Sequence, residues 1–357
     1  MTFEERIKEG LNGKFQGLSN GLKRINSHIF GLQRSCYTLI GGLSGSAKTT
    51  LVDFMLLNAI QDAESKNIPI NVFYYSYEID EISKKANWLS MLIYLKYDRI
   101  ITPQKIKGMG DLRLTDDELR MVQDEAPEME KIFAKITWRW ETGNPTGLYK
   151  EWWTHMSSKG VFEKEPYADE FGANKERIVK FIPNNSDEYN VVVMDHAALM
   201  ASERNFTLKE NLDKFSEYIV KCRNLFSMSF FILQQFNDGL NSIDRQKFKG
   251  VDISPQQNDF KDSRNLYVDA DIVLGIMNAY KMDMETCLRY NINVDRANYN
   301  LKDRFRMLKV IKNRMGRDNI AVGLLFIPEG GSFEELPQPE LMTKEDIERV
   351  NRLTNNR

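Results

Sequence analysis

The chain has 357 residues, 42% of them hydrophobic, and a formal net charge of −2 at pH 7. This length suits one large domain or two small ones with a substantial core, and the near-neutral charge excludes a strongly basic protein that coats nucleic acid by bulk charge. The three isolated cysteines predict neither a disulfide framework nor a zinc site, which points to a reducing cytoplasm. The sequence shows no signal-peptide segment and no apolar run of membrane-spanning length.

The first 30 residues predict a lead-in segment and not a domain, because glycines separate short helical fragments. One of these fragments runs from Phe3 to Leu11.

Residues 41–50, with the sequence GGLSGSAKTT, predict a phosphate-binding loop between a strand at 37–40 and a helix from Leu51. The glycines let backbone N–H groups wrap a phosphate, and the helix N-terminus adds positive potential. Lys48 is expected to reach the β- and γ-phosphates, and the Thr49 hydroxyl to bind Mg²⁺. An ordinary glycine-rich turn before a helix is the alternative. The residues expected to contact nucleotide are Gly42, Ser44, Gly45, Ser46, Ala47, Lys48, Thr49 and Thr50.

One position of this loop departs from the pattern G-x-x-x-x-G-K-[ST]. Ala47 stands where the pattern has the glycine before the lysine. If that position requires a left-handed backbone, the alanine introduces a small strain.

Strand and helix patterns alternate along the rest of the chain. Residues 102–135 are helical in pattern, whereas 136–189 have no legible period. Alternation of this kind predicts an α/β protein with a mainly parallel sheet that is buried on both faces. Strands are expected at 70–76, 191–195, 230–235, 270–275, 307–312 and 321–326, and helices at 81–95 and 208–226.

Polar side chains end three of these strands, where ligands of open parallel sheets bind. Asp195 suits a Mg²⁺ carboxylate, held directly or through water, and its alternative is a helix cap. Glu78 suits a group that orients or deprotonates an attacking water, where the alternative is a plain surface glutamate. Gln235 could sense a γ-phosphate, or it could equally tie two loops together.

Six segments, in the same order, resemble the RecA-like ATPase domain of DnaB-type replicative helicases over residues 15–335. The most specific is the NDFKDSR segment at 258–264 with VDAD at 268–271, and it is followed by KNRMG at 312–316. The others are the lead-in at 17–32, YYSYE at 74–78, VMDHAALM at 193–200 and ILQQFN at 232–237.

The resemblance implies ATP as substrate, Mg²⁺ held by Thr49 and Asp195, and a ring that is expected to be a hexamer. In this family the basic residues of the KNRMG segment, Lys312 and Arg314, reach the γ-phosphate of a neighbouring subunit. They lie at alternate positions of a strand end and should point the same way. A solvated strand edge is the alternative. The catalytic set is then Glu78, Lys48, Asp195, Gln235, Lys312 and Arg314.

The resemblance also implies that residues 237–264 line a central channel and hold single-stranded DNA by its phosphates. Such contacts are salt-dependent and largely blind to sequence. A solvated loop of ordinary charge is the alternative, and Asp238 and Arg264 depart from the residues usual in the family. The expected nucleic-acid contacts are Arg245, Lys247, Lys249, Lys261, Asp262 and Arg264.

The predicted division of the chain is a lead-in or linker at 1–30, a RecA-like domain at 31–335 with an insertion at about 136–189, and a charged tail at 336–357. The start of the chain leaves no room for the family's N-terminal collar domain, which favours a phage-type form in the host cytoplasm. A primase or loader is a further candidate partner.

The leading functional prediction is an ATP-driven ring helicase that translocates on single-stranded DNA in replication. A recombinase-like or accessory ATPase that forms filaments without processive unwinding is the alternative. A third reading is an assembly module of the circadian-clock ATPase type, which would not need basic channel loops.

Overall fold

The computed structural model describes residues 2–11, 13, 15–168, 173–237 and 253–355, with backbone only at 6, 261–263 and 355. The described helices are α1 Phe3–Leu11, α2 Lys23–Ile29, α3 Lys48–Ser65, α4 Glu81–Tyr97, α5 Pro103–Ile106, α6 Asp116–Phe133, α7 Pro145–Ser157, α8 Leu208–Phe226, α9 Arg264–Asp269 and α10 Lys344–Asn355. The described strands are β1 Tyr37–Gly42, β2 Ile70–Ser76, β3 Ile136–Arg139, β4 Gly160–Ala168, β5 Asn174–Pro183, β6 Tyr189–Asp195, β7 Ser229–Gln235, β8 Ile272–Met277, β9 Thr286–Cys287, β10 Tyr290–Asn291, β11 Phe305–Asn313, β12 Ile320–Ile327 and β13 Ser332–Glu335.

A nine-stranded sheet in the order β13-β12-β11-β8-β1-β7-β6-β2-β3 forms the centre of the fold. The strands from β8 to β3 are mutually parallel. Strands β11, β12 and β13 extend the sheet in antiparallel fashion beyond β8. The predicted α/β class with a mainly parallel sheet is therefore confirmed.

The sheet is buried on both faces because its strands are continuous apolar runs. Along β1, Ile40 points into a core built with α2, α3, α4 and α6. Leu39 points into a second core that includes α7, α8 and α10. The helices thus cover both faces and leave the ends of the parallel strands accessible.

The segment 136–189, which has no legible period in the sequence, is regular in structure. It contains the edge strand β3, the helix α7 and an antiparallel hairpin formed by β4 and β5. Asn144 caps α7 by accepting a hydrogen bond from Gly147 N at 2.8 Å. The sequence shows no legible period here because most hairpin side chains are exposed and therefore carry no pattern of burial.

A fully buried ion pair crosses the first core. Lys84 of α4 donates to both carboxylate oxygens of Asp53 on α3, at 3.0 and 2.8 Å, and to Tyr74 Oη of β2 at 2.8 Å. Tyr74 Oη in turn donates to Asp53 Oδ1 at 2.7 Å. The three polar groups satisfy one another, as buried charges require.

Helix α10 packs its apolar side on the second core through Val350 and Leu353. Arg349 on the same helix binds Asp98, which follows α4, and Glu334 of β13. Among the helices described here, none combines the length and the hydrophobicity that crossing a bilayer demands.

Candidate functional site

Four neighbouring strands bring the phosphate loop, Glu78, Asp195 and Gln235 to one edge of the sheet. The order β1-β7-β6-β2 is parallel throughout. Gly42 at the end of β1 is in register with Gln235 at the end of β7, and Asp195 at the end of β6 is in register with Ser76. Glu78 follows Ser76 by two residues. This edge therefore collects the residues that the sequence places after separate strands.

The phosphate loop connects β1 to α3 and turns tightly at its glycines. A Cβ atom on Gly42 would lie 2.5 Å from Ser46 Oγ and 2.8 Å from Ile276 O, so no larger residue fits there. Gly45 has φ +70°, which a side chain would strain. Ser44 and Gly45 are exposed at the tip, where backbone N–H groups can face a ligand.

Ala47, the departure from the loop pattern, adopts the left-handed conformation with φ 74° and ψ 35°. It is the N-cap residue of α3 and supplies no side-chain cap. The position thus requires the geometry that glycine adopts without cost. The left-handed backbone at Ala47 is the condition under which the sequence predicts strain at this position.

Lys48 begins α3 and folds back over the loop. Its Nζ donates to the carbonyl oxygens of Gly42 at 2.9 Å and Leu43 at 3.0 Å. Burial lowers the pKa of Lys48, and the carboxylates of Asp195 and Glu78 oppose that shift. The ammonium is thus held at the mouth of the loop by carbonyl groups, which a phosphate can replace as partner.

Thr49 and Asp195 form the second polar contact of the site. Thr49 Oγ1 donates to Asp195 Oδ2 at 2.6 Å, and Asp195 is buried. A hydroxyl and a carboxylate supply the hard oxygen donors that Mg²⁺ prefers. The pair predicted as metal ligands is therefore together and chemically suited to that ion. Thr50 follows in the first turn of α3.

Glu78 lies next to this pair with its side chain 47% exposed. Its Oε1 is 3.2 Å from Nε2 of His196, the residue after Asp195. Gln235 is exposed at the end of β7, and the following residue, Phe236, donates its backbone N–H to Gly42 O at 3.1 Å. Both side chains face open space beside the loop, where a water or phosphate could reach them.

Lys312 and Arg314 lie together at the opposite edge of the sheet. Lys312 Nζ donates to Val268 O at 2.7 Å, and Arg314 Nη2 donates to the same oxygen at 2.8 Å. Arg314 Nη1 is 3.4 Å from Asp271 Oδ1. Burial, reinforced by the charge of Arg314, lowers the pKa of Lys312 to about 8.

The position of Asp271 fixes which edge this is. Asp271 Oδ2 accepts from Tyr37 N at 2.9 Å, and Tyr37 is the first residue of β1. Gly42, the last residue of β1, leads into the phosphate loop. Six residues of strand span about 20 Å. The two cations therefore lie about that far from the phosphate loop of their own chain.

The predicted nucleic-acid contacts are only partly within the described residues. Arg245, Lys247 and Lys249 lie outside them, as do the side chains of Lys261 and Asp262. Arg264 is exposed at the start of α9. It lines a cavity of about 1100 Å³ together with Phe260, Tyr267 and residues 207–209 and 257–258.

Comparison with known proteins gives the fold. No family model matches the sequence, and no curated protein matches it either. The structure is similar to a solved ATPase domain, with a TM-score of 0.67, 16% identity, and coverage of 94% of this chain and 96% of that chain. The chain has the RecA-like ATPase fold. A DnaB-like replicative helicase, solved to study its interactions with primase, matches with a TM-score of 0.66 at 14% identity, over 93% of this chain and 67% of that chain.

Sequence reasoning missed one cation beside the phosphate loop. Lys281 lies in the turn after β8, and its Nζ would be 2.5 Å from a Cβ atom on Gly45. Asn278 Oδ1 accepts from the backbone N–H groups of Tyr280 at 3.1 Å and Lys281 at 3.3 Å and so shapes that turn. No motif marks Lys281. Only the neighbouring position of β8 and β1 in the sheet brings it to the loop.

Proposed function

We propose that the chain is an ATP hydrolase that assembles into a hexameric ring and unwinds DNA by translocating on a single strand during replication. The observation that carries the proposal is the division of the site. The phosphate loop, Asp195 and Glu78 lie at one edge of the sheet, whereas Lys312 and Arg314 lie at the other. A second copy can supply the missing cations, and the fold shared with a DnaB-like replicative helicase supports this reading.

The loop residues bind and orient the nucleotide. Backbone N–H groups of Gly45 and its neighbours face the phosphates, and Lys48 exchanges the carbonyl oxygens of Gly42 and Leu43 for phosphate oxygens. Lys281 adds a second positive charge on the other side of Gly45. Because the phosphates carry several negative charges, two cations in the same chain favour their binding.

Thr49 and Asp195 would hold Mg²⁺, with the hydroxyl and the carboxylate as oxygen donors. The ion, when bound, neutralises negative charge on the phosphate oxygens. Asp195 is buried at a strand end and cannot move far, so it fixes the position of this pair relative to the loop.

Glu78 is the group suited to take a proton from the attacking water. Its carboxylate is exposed enough to meet a water and lies close to Lys48 and Asp195 in the site. His196 holds the carboxylate from one side. Gln235, in register with Gly42 at the start of the loop, would hydrogen-bond the γ-phosphate.

Lys312 and Arg314 complete the site of the neighbouring copy. A cation delivered in trans stabilises transition-state charge and makes turnover depend on assembly. Both residues have half-exposed positions and bind backbone carbonyl oxygens, which are weaker partners than phosphate. Arg314 also lies 3.4 Å from the carboxylate of Asp271, which Arg223 pairs with as well. Arg314 can therefore transfer to a neighbouring nucleotide.

The DNA-binding part of the proposal rests on residues 237–264. Arg264 is exposed next to an open cavity, which gives a phosphate backbone access to it. Binding through such cations weakens as salt rises, and the slope of affinity against salt concentration counts the phosphates contacted.

A strand-displacement assay tests the proposal. Purified protein with ATP and Mg²⁺ is expected to hydrolyse ATP faster when single-stranded DNA is added, and to separate a forked duplex. Stimulated hydrolysis without separation of the fork would contradict the helicase and favour a filament-forming ATPase. Negative-stain imaging with a nonhydrolysable ATP analogue gives the assembly directly, because rings and filaments differ in outline.

A further inference from the structure

The strained residue Ala47 has a partner in the antiparallel part of the sheet. Its backbone conformation requires the peptide that joins Ser46 to Ala47 to stand in one orientation. An L-residue disfavours the left-handed region because Cβ crowds the following carbonyl oxygen. Some contact outside the loop must therefore hold this peptide.

Arg306 of β11 makes that contact. Its side chain is buried, with 4% of the residue exposed, and its Nε donates to Ser46 O at 3.0 Å. The Ser46 carbonyl belongs to the peptide whose nitrogen is that of Ala47. Because a peptide is planar, fixing this oxygen also fixes the nitrogen that sets φ of Ala47.

The guanidinium of Arg306 is itself held in place. Nη1 donates to Asp303 O at 2.5 Å and Phe305 O at 2.8 Å, and the guanidinium carbon lies 4.6 Å above the ring of Phe326. Burial lowers the pKa of Arg306 to about 10, which leaves it charged at neutral pH. A planar fork with this many partners acts as a rigid donor.

The other side of Ala47 is fixed by the helix. Leu51 N donates to Ala47 O at 2.9 Å as the first bond of α3. Ala47 thus stands between two peptides of set orientation, one held by α3 and the other by Arg306. Without Arg306, only the helix side would remain fixed.

We propose that Arg306 is a positioning residue that holds the phosphate loop in the left-handed turn at Ala47. Its side chain is buried and acts through the Ser46 carbonyl. This hydrogen bond from outside the loop stabilises a conformation that glycine would adopt without such help. The inference rests on the proposed binding of ATP by the loop. A purely structural role, in which Arg306 only fills the core under β11, predicts no special relation to Ala47.

A double-mutant cycle separates the two roles. The four proteins are the natural chain, Ala47→Gly, Arg306→Met and the double variant, and the readout is the dissociation constant of ADP measured by calorimetry. Arg306→Met is expected to weaken ADP binding about tenfold when Ala47 is present but only about twofold in the Ala47→Gly background, a coupling of about fivefold. Thermal unfolding of each protein shows whether it is folded at the assay temperature.

Arg304→Met is the matched control. Arg304 is buried to the same extent on the same chain segment, but it forms a bidentate pair with Glu329 and does not contact the loop. Its replacement is expected to lower the melting temperature without any coupling to Ala47→Gly. If Arg306→Met does not fold, Arg306→Lys enters the same cycle, because a lysine keeps the charge but cannot donate to all three carbonyl groups as the fork does.

Equal losses of ADP affinity in both backgrounds, or no loss in either, would overturn the role of Arg306 and leave the proposed ATP binding intact. Failure of the natural chain to bind ADP or ATP would instead overturn the proposed function, and the role of Arg306 with it.

Discussion

The two edges of the parallel sheet differ in the exposure of their cations. At the carboxyl edge, Lys48 lies partly buried against the carbonyl oxygens of Gly42 and Leu43, beside the contact between Thr49 and Asp195. At the amino edge, Lys312 and Arg314 also have partners within 3.0 Å, but the side chain of Arg314 is 46% exposed. This difference supports the proposal that one chain forms a nucleotide site at its carboxyl edge and carries, at its amino edge, cations for the site of a neighbouring copy.

Removing Arg314 should have the largest effect, because the proposed site then lacks the arginine that stabilises transition-state charge. Arg314→Ala is expected to lower kcat for ATP by about 10³ to 10⁵, as loss of a trans-acting arginine does. The affinity for ADP should change little, since the phosphate loop is untouched. Steady-state hydrolysis and ADP calorimetry measure the two quantities, and Arg317→Ala, an exposed arginine of the same loop, is the matched control.

A mixing experiment sharpens this result. Lys48→Ala and Arg314→Ala chains are each expected to be inactive alone. Mixed before assembly, they should regain turnover, because some interfaces then pair an intact phosphate loop with an intact Arg314. An inactive mixture that still assembles would contradict the assignment in trans.

Replacement of Glu78 tests the carboxyl edge of the sheet. Glu78→Gln removes the proton acceptor and is expected to lower kcat by about 10² to 10⁴ while ADP binding persists. Glu81→Gln, the same change three residues later on an exposed side chain, serves as control. A Glu78→Gln enzyme with natural kcat would remove Glu78 from the mechanism.

The pH dependence of kcat tests Lys312 at the amino edge, and the expected effect is smaller than those of Arg314→Ala and Glu78→Gln. With the pKa of Lys312 lowered by burial to about 8, raising the pH from 7 to 9 should lower kcat about tenfold. Lys312→Arg keeps its charge and should flatten the profile. Parallel profiles for the two proteins would show that another group titrates.

Titration of Lys312 would not lower kcat at high pH by unfolding the protein. Its pKa in the folded chain is below the ordinary value, so the unfolded chain binds more protons between about pH 8 and 10.5. The contribution of this group to folding stability therefore rises with pH across that window. A melting temperature recorded at each pH checks the sign.

Lys281 should give the smallest effect. Lys281→Ala removes an exposed charge at Gly45 and is expected to weaken ADP binding about threefold, the size typical of exposed ionic contacts. The loss should shrink in high salt. Lys344→Ala, an exposed lysine at the start of α10, should leave ADP binding unchanged.

Much of the fold could be predicted because the parallel strands are apolar runs that both faces of the sheet bury. The helix predicted at residues 208–226 coincides with α8, which begins at a capping box of Thr207 and Glu210. Strand β3 was not predicted from the sequence because it is a four-residue edge strand. The hairpin of β4 and β5 was not predicted because exposure on both faces removes any hydrophobic alternation.

Some residues of the site could likewise be predicted from the sequence, and others could not. Glu78, Asp195 and Gln235 could be placed together because parallel strands bring their carboxyl ends to one edge. Lys281 and Arg306 could not, since their contacts with the loop depend on β8 lying beside β1 and on β11 lying beside β8, which no local pattern reveals. Hydrogen bonds to backbone, such as that from Arg306 to Ser46, leave no trace in residue type at the acceptor.

The partners of Asp271 keep the free-energy cost small if the side chain of Arg314 moves away from this carboxylate. Asp271 also binds Arg223 at 2.8 Å and the N–H of Tyr37, so it keeps a cationic partner when Arg314 leaves. The Val268 carbonyl likewise keeps Lys312. If Arg314 turns toward a neighbouring nucleotide, as proposed, no buried charge loses its last partner, and Asp271 continues to hold the start of β1.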